Sequence, residues 1–190
     1  KTYMTLDWKA CTPVSNLKER LAFEAAELSS LSDTAQQRAT KMIETLLEKG
    51  STHIRTHVNI DPYIGLKNLE GVMAALETFK GKVTADIIAF PQHGLLRESV
   101  PALMRGAMTS GATKVGGPDP AGIDNAIEKS LFETMDIATE FNADVDIHLH
   151  DGGFVGYYTA DKWIDIVEDA NYKGRTALSH SFCLGDIPVS

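Results

Sequence analysis

The sequence predicts an α/β domain built on parallel strands, and three observations carry that expectation. Apolar or alternating runs of about six to eight residues alternate one for one with stretches of helical, 3.6-residue periodicity. Successive runs begin about 30 residues apart, the length of one strand–helix–strand unit. The composition, 43% hydrophobic and 23% charged over 190 residues, can bury a sizeable interior in one domain.

The first periodic stretch runs from Asn16 to Leu28, where Leu17, Leu21, Ala25 and Leu28 share a face between charges. A second helix follows Ser32 and Asp33, either of which can cap it; it turns Met42, Ile43, Leu46 and Leu47 inward and stops at Gly50. Strands are expected at His53 to Ile60, Ala85 to Phe90, Thr113 to Gly116, Val145 to His150 and Thr176 to Ser179. Helices are expected between them, at Leu66 to Phe79, Val100 to Ser110, Ile123 to Phe141 and Thr159 to Tyr172. The chain thus divides into a helical lead-in over 1–50 and repeated βα units over 51–190. Right-handed crossovers would join the strands in parallel. An open doubly wound sheet and part of a closed eight-stranded barrel both fit this order, and both bind ligands at the carboxyl ends of their strands.

Bulk charge and motifs exclude several functions. Eighteen Lys and Arg stand against 26 Asp and Glu, a formal net charge of -8 that disfavours a phosphate-neutralising surface, so no nucleic-acid partner is expected. No window approaches the roughly 20 apolar residues that cross a bilayer, so no membrane partner is expected. Cys11 and Cys183 fit neither a disulfide framework nor a metal-ligand spacing, which points to free thiols and a cytoplasmic setting. GxxxxGK[ST], GxGxxG and GxSxG are all missing, which removes support for a phosphate cradle or a serine nucleophile.

The unusual residues gather at strand ends. Alternate residues of a strand share a face, so Asp146, His148 and His150 point one way while Val145, Ile147 and Leu149 point the other. Parallel strands are covered on both faces, so the ionisable face must line a cavity or be paired. Two imidazoles beside a carboxylate suit zinc or ferrous iron. The next strand ends in His180, at the equivalent edge. The strand before Pro91 leads to Gln92, whose amide can offer a donor and an acceptor to an amide-like substrate. His53, Arg55, His57 and Asn59 share one face of the first strand and are expected to form a hydrogen-bonded polar floor. Gly116-Gly117-Pro118-Asp119-Pro120 is expected to be a structural turn.

Taken together these segments resemble the cytosine deaminase branch of the amidohydrolase superfamily, over nearly the whole chain. Thr52-His53-Ile54-Arg55-Thr56-His57-Val58-Asn59 is similar to the branch's second strand, Ile88-Ala89-Phe90-Pro91-Gln92 to its third and Val145-Asp146-Ile147-His148 to its fifth. The resemblance implies part of a (β/α)8 barrel of the TIM type, roughly strands 2 to 6 with their helices. It implies a divalent metal, zinc or iron, that activates water for attack on a ring amidine or amide carbon, with a small cyclic nitrogenous substrate. By the same likeness His148 is the metal ligand, Gln92 the substrate contact and His180 the histidine that hydrogen-bonds the activated water, with His57 and His150 as neighbours of the metal site. Asp151 stands three residues after His148, where the branch carries a proton-shuttling glutamate, and is one methylene shorter. A change of that size can move a proton relay by about 1 Å, which leaves triazine-type hydrolysis as open as cytosine deamination. The branch's first HxH strand and last metal aspartate have no counterpart among these residues. The alternative expectation is therefore a catalytically incomplete, metal-free fragment that binds a partner or itself; unpaired strand edges would favour a homo-oligomer.

Overall fold

The protein is described by a computed structural model over residues 13–30 and 34–186. Cys11 and the expected caps Ser32 and Asp33 lie outside the described residues. Helix α1 spans Leu17–Ser30 and α2 spans Ala35–Glu48. Asn16 caps α1 by accepting the Glu19 amide at 2.9 Å. Thr34 and Gln37 form a capping box on α2, each side chain bonded to the other's backbone amide.

Five strands then alternate with helices: β1 His53–Asn59, α3 Lys67–Thr78, β2 Thr84–Phe90, α4 Val100–Thr109, β3 Lys114–Gly117, α5 Ile127–Glu140, β4 Asp144–Leu149, α6 Gly153–Asp169, β5 Thr176–His180 and the short α7 Cys183–Asp186. The strands pair in chain order, β1-β2-β3-β4-β5, and every pairing is parallel. That unbroken order with one helix per crossover is a half-barrel, part of a (β/α)8 barrel. An open doubly wound sheet would reverse its strand order at a switch point, and this sheet does not.

The two faces of the sheet divide by chemistry. Val58, Ile87, Ala89, Val115, Val145 and Ile147 face outward into a core with Leu69, Met104, Leu131 and Trp163 from the helices. At about 25 cal/mol per Å2 of apolar surface, that core is the main force holding helices to sheet. The inner face carries the polar floor expected of β1, extended across the sheet. Arg55 donates to Asp86 at 3.2 Å and to Asp146 at 3.1 Å, Ser179 donates to Asp146 at 2.6 Å, and Lys114 donates to Asp144 at 2.8 Å. Asn59 departs from the expectation, since its Nδ2 has no hydrogen-bond partner among the described residues.

Two helix starts differ from the sequence reading. α5 begins at Ile127 rather than Ile123, because Asn125 adopts φ 53° and the Asp124 carboxylate accepts the Leu96 amide and the Ser130 hydroxyl instead of entering the helix. α6 begins at Gly153 rather than Thr159. Gly156 is required where the helix passes against the Asp151 carbonyl and the Cys183 side chain. Cys183 is buried with a free thiol. Among the described residues no helix is long and apolar enough to cross a membrane.

Candidate active site

The carboxyl ends of β4 and β5 bring His148, His150 and His180 together, with ligand nitrogens all within 4.8 Å of one another. A second group, His57, Asp146 and His148, meets the same limit on the floor side, so His148 belongs to both. His148 is half-buried on the inner face of β4, and its Nε2 lies 3.0 Å from Nε2 of His57. Burial pushes its pKa down to about 4, helped by the neighbouring His57 and His180. It is therefore a neutral imidazole with a lone pair at neutral pH, the form that binds a metal.

Beneath it Asp146 is buried. Burial alone would raise its carboxyl, but the contact with His57 and the hydrogen bond from Ser179 outweigh that and hold it down at about 2. The charged carboxylate, 3.7 Å from Nε2 of His57, gives the site a fixed negative floor.

His150 is set by a residue that the sequence reading assigned to a turn. Asp119, buried in the loop after β3, accepts the backbone amides of His150 and Asp151 and holds Nδ1 of His150 at 2.9 Å. A carboxylate on Nδ1 fixes the proton there and leaves Nε2 as the acceptor, the usual support for a ligating imidazole. The one signal for Asp119 in the sequence was a lone carboxylate at the same sheet edge as Gln92 and His148. His180 pairs in register with Leu149, on the helix-facing side. It escapes that side by ending the strand in a left-handed conformation, φ 75°, and its ring stacks on His150 at 4.3 Å. Burial, then the His150 charge, lowers its pKa.

Asp151 sits against the loop that follows Asp119. Its Oδ2 accepts the amides of Ala121 at 3.2 Å and Gly122 at 3.3 Å, and burial, then the charge of Asp119, raises its pKa. Gln92, after β2, shares a cavity of about 610 Å3 with His57, Asn59 and His148, and a smaller cavity with Pro118, Asp119, His148 and His150. Arg20 and Glu24 of α1 line the larger cavity and Leu21 the smaller one. The sequence carried no sign of this, because charges on an amphipathic helix read as its solvent face.

These residues suit a divalent ion. The 3.0 Å separation of two imidazole nitrogens is close to the ligand–ligand edge of about 3.3 Å that tetrahedral zinc–nitrogen bonds of about 2.0 Å imply. The donor set, neutral imidazoles with a carboxylate, is that of zinc or non-haem iron sites.

No protein-family model matches the chain. The chain is 37% identical over 190 residues to the uncharacterized protein YahJ of Escherichia coli (strain K12), across 98% of its own length and 41% of that protein. It is 35% identical over 140 residues to the N-isopropylammelide isopropyl amidohydrolase of Pseudomonas sp. (strain ADP), across 73% of its own length and 35% of that enzyme. Among solved structures, N-isopropylammelide isopropylaminohydrolase from Burkholderia multivorans ATCC 17616 superposes with a TM-score of 0.87 at 32% identity, over 93% of this chain and 45% of that one. A 5-methylcytosine deaminase from Klebsiella pneumoniae shares the fold, with a TM-score of 0.73 at 23% identity over 87% of this chain and 42% of that one. The chain thus spans about two fifths of the length of the curated relatives it matches, 41% and 35%.

Proposed function

This chain belongs to the amidohydrolase superfamily, and from that premise we propose that the whole protein hydrolyses a C–N bond on a small cyclic nitrogenous compound. The observation that carries the reading is the convergence of three histidine nitrogens, from two adjacent strand ends, beside a cavity that also holds a glutamine. A bound zinc or iron ion, held in part by His148, would supply Lewis acidity toward water and the ring carbon.

The chain's own groups do the rest. His150, oriented by Asp119, and His57, beside Asp146, both neighbour His148. Gln92 orients the ring by offering its N–H to a ring acceptor and its oxygen to a ring N–H. His180, neutral at its strand end, hydrogen-bonds the attacking water. Asp151 carries the proton from that water to the leaving nitrogen; its raised pKa brings it nearer the working pH of a general acid–base. The N-isopropylammelide hydrolases among the similar proteins make N-isopropylammelide the first substrate to try.

The deciding measurement is metal content and N-isopropylammelide hydrolysis by the whole protein, with His148→Ala beside wild type. Loss of bound metal and a fall in kcat/KM of at least about a thousandfold are expected. Unchanged metal and turnover would overturn the reading.

A further inference from the structure

Helix α1 precedes the sheet in sequence, yet it walls the candidate site. Leu21 and Glu24 are buried, although Glu24 is charged and α1 lies at the rim of the half-barrel. One contact that seats the helix comes from His93, the residue after Gln92. Its Nε2 lies 3.4 Å from the Leu21 carbonyl oxygen, and its Nδ1 lies 3.4 Å from Oδ2 of Asp61 in the loop after β1. The Asp61 contact is an ion-pair approach rather than an aligned hydrogen bond. Asp61 is itself buried and held in place by the amides of Tyr63 and Ile64.

A carbonyl and a carboxylate can only accept. The His93 ring meets both favourably as imidazolium, with Nε2–H toward the Leu21 carbonyl and its positive charge beside the Asp61 carboxylate. A neutral ring would leave one acceptor facing a lone pair in a place that water reaches poorly, since the side chain is 9% exposed. The contact between His93 and α1 is thus strongest with a positive charge on His93.

We propose that His93 is a positioning residue: as imidazolium it holds α1 across the mouth, so that Arg20, Leu21 and Glu24 form a specificity wall opposite His148, and losing one ring proton releases the helix. The wall sets a guanidinium and a carboxylate beside the Gln92 amide, which fits a ring bearing both carbonyl and N–H groups on its rim. This substrate clause rests on the hydrolase reading above; the helix switch does not.

Among the described residues, the charged groups that act on His93 include Asp61, from the loop after β1, and Glu24, from α1; the Tyr63 ring stands edge-on with its centroid 6.1 Å away. The Asp61 contact raises the His93 pKa, burial opposes it, and the Leu21 carbonyl and Glu24 add to the rise. A raised folded pKa means that seating is complete below the ordinary value of about 6.5 and is lost as pH rises through the folded value.

Hydrogen-exchange protection of the segment Leu17–Ser30, measured in the whole wild-type protein from pH 6 to pH 9, tests this without any substitution. Protection factors for that segment should fall about tenfold across the range while those of β2 and β4 hold. His93→Gln should show the low protection at pH 6 already, and His93→Lys should keep the high protection at pH 9. With N-isopropylammelide as the probe, His93→Gln should raise KM about tenfold and change kcat by less than about twofold. Flat wild-type protection of α1 from pH 6 to 9, or unchanged protection in His93→Gln, overturns the switch. If the protein hydrolyses no ring C–N bond, the hydrolase reading fails and the exchange profile still decides the switch.

Discussion

Asp119 accepts two backbone amides and an imidazole N–H while almost wholly shielded from water, so those donors compensate its charge. Asp119→Asn should cost about 2 kcal/mol, because the amide group brings N–H donors toward positions that already donate. Urea unfolding would measure that cost, and an Asn variant as stable as wild type would rule out the clamp. Asp146 makes a pH-dependent contribution. Its folded pKa, about 2, lies below the unfolded value of 3.8, so its stabilisation is present above pH 3.8 and disappears as pH falls toward 2. The stability gap between wild type and Asp146→Asn should be of order 2 kcal/mol at pH 6 and should close by about pH 2. A gap that stays constant down to pH 2 would refute the assignment. These residue types were visible in the sequence as candidates. Their partners were not, because Arg55, Ser179 and Asp119 come from strands and loops about 30 to 90 positions away that only the sheet register brings together.

Periodicity located the helices and strands, since a 3.6-residue or two-residue pattern is a local property of the chain. Helix starts at α5 and α6 escaped it because tertiary contacts set them. Gly156 and Gly153 separate the two causes within one helix. A Cβ at Gly156 would run into the Asp151 carbonyl and the Cys183 side chain, whereas a Cβ at Gly153 meets nothing within 4 Å and suffers only from φ 55°. Gly156→Ala should therefore cost about 3 kcal/mol and displace the β4–α6 junction that carries Asp151. Gly153→Ala should cost about 1 kcal/mol. Thermal melts of the two variants test this ordering, and equal losses would contradict it.

At the scale of the molecule, five parallel strands in sequential order present two outer edges, β1 and β5, with no partner among the described residues. Such edges are templates for further pairing. The polypeptide of residues 1–190 by itself should sediment as an associated species at micromolar concentration, and a well-behaved monomer would argue against edge-driven pairing. The large cavity lies beside the β1 edge, where Ile54, Arg55, Thr56 and His57 all line it, so the same open edge bounds the candidate site. What the sequence by itself determined is the α/β class, the one-for-one alternation of strand and helix, and the strand ends at which His148, Gln92 and His180 fall. Each follows from local pattern and from the rule that ligands meet parallel sheets at their carboxyl ends. The choice of a half-barrel over a doubly wound sheet came from strand order, which is a long-range property. The clamp of Asp119 on His150, the left-handed turn that brings His180 to its ring, and the seating of α1 by His93 were likewise decided by tertiary structure. Each joins residues from separate βα units, and only folding sets the distances between them.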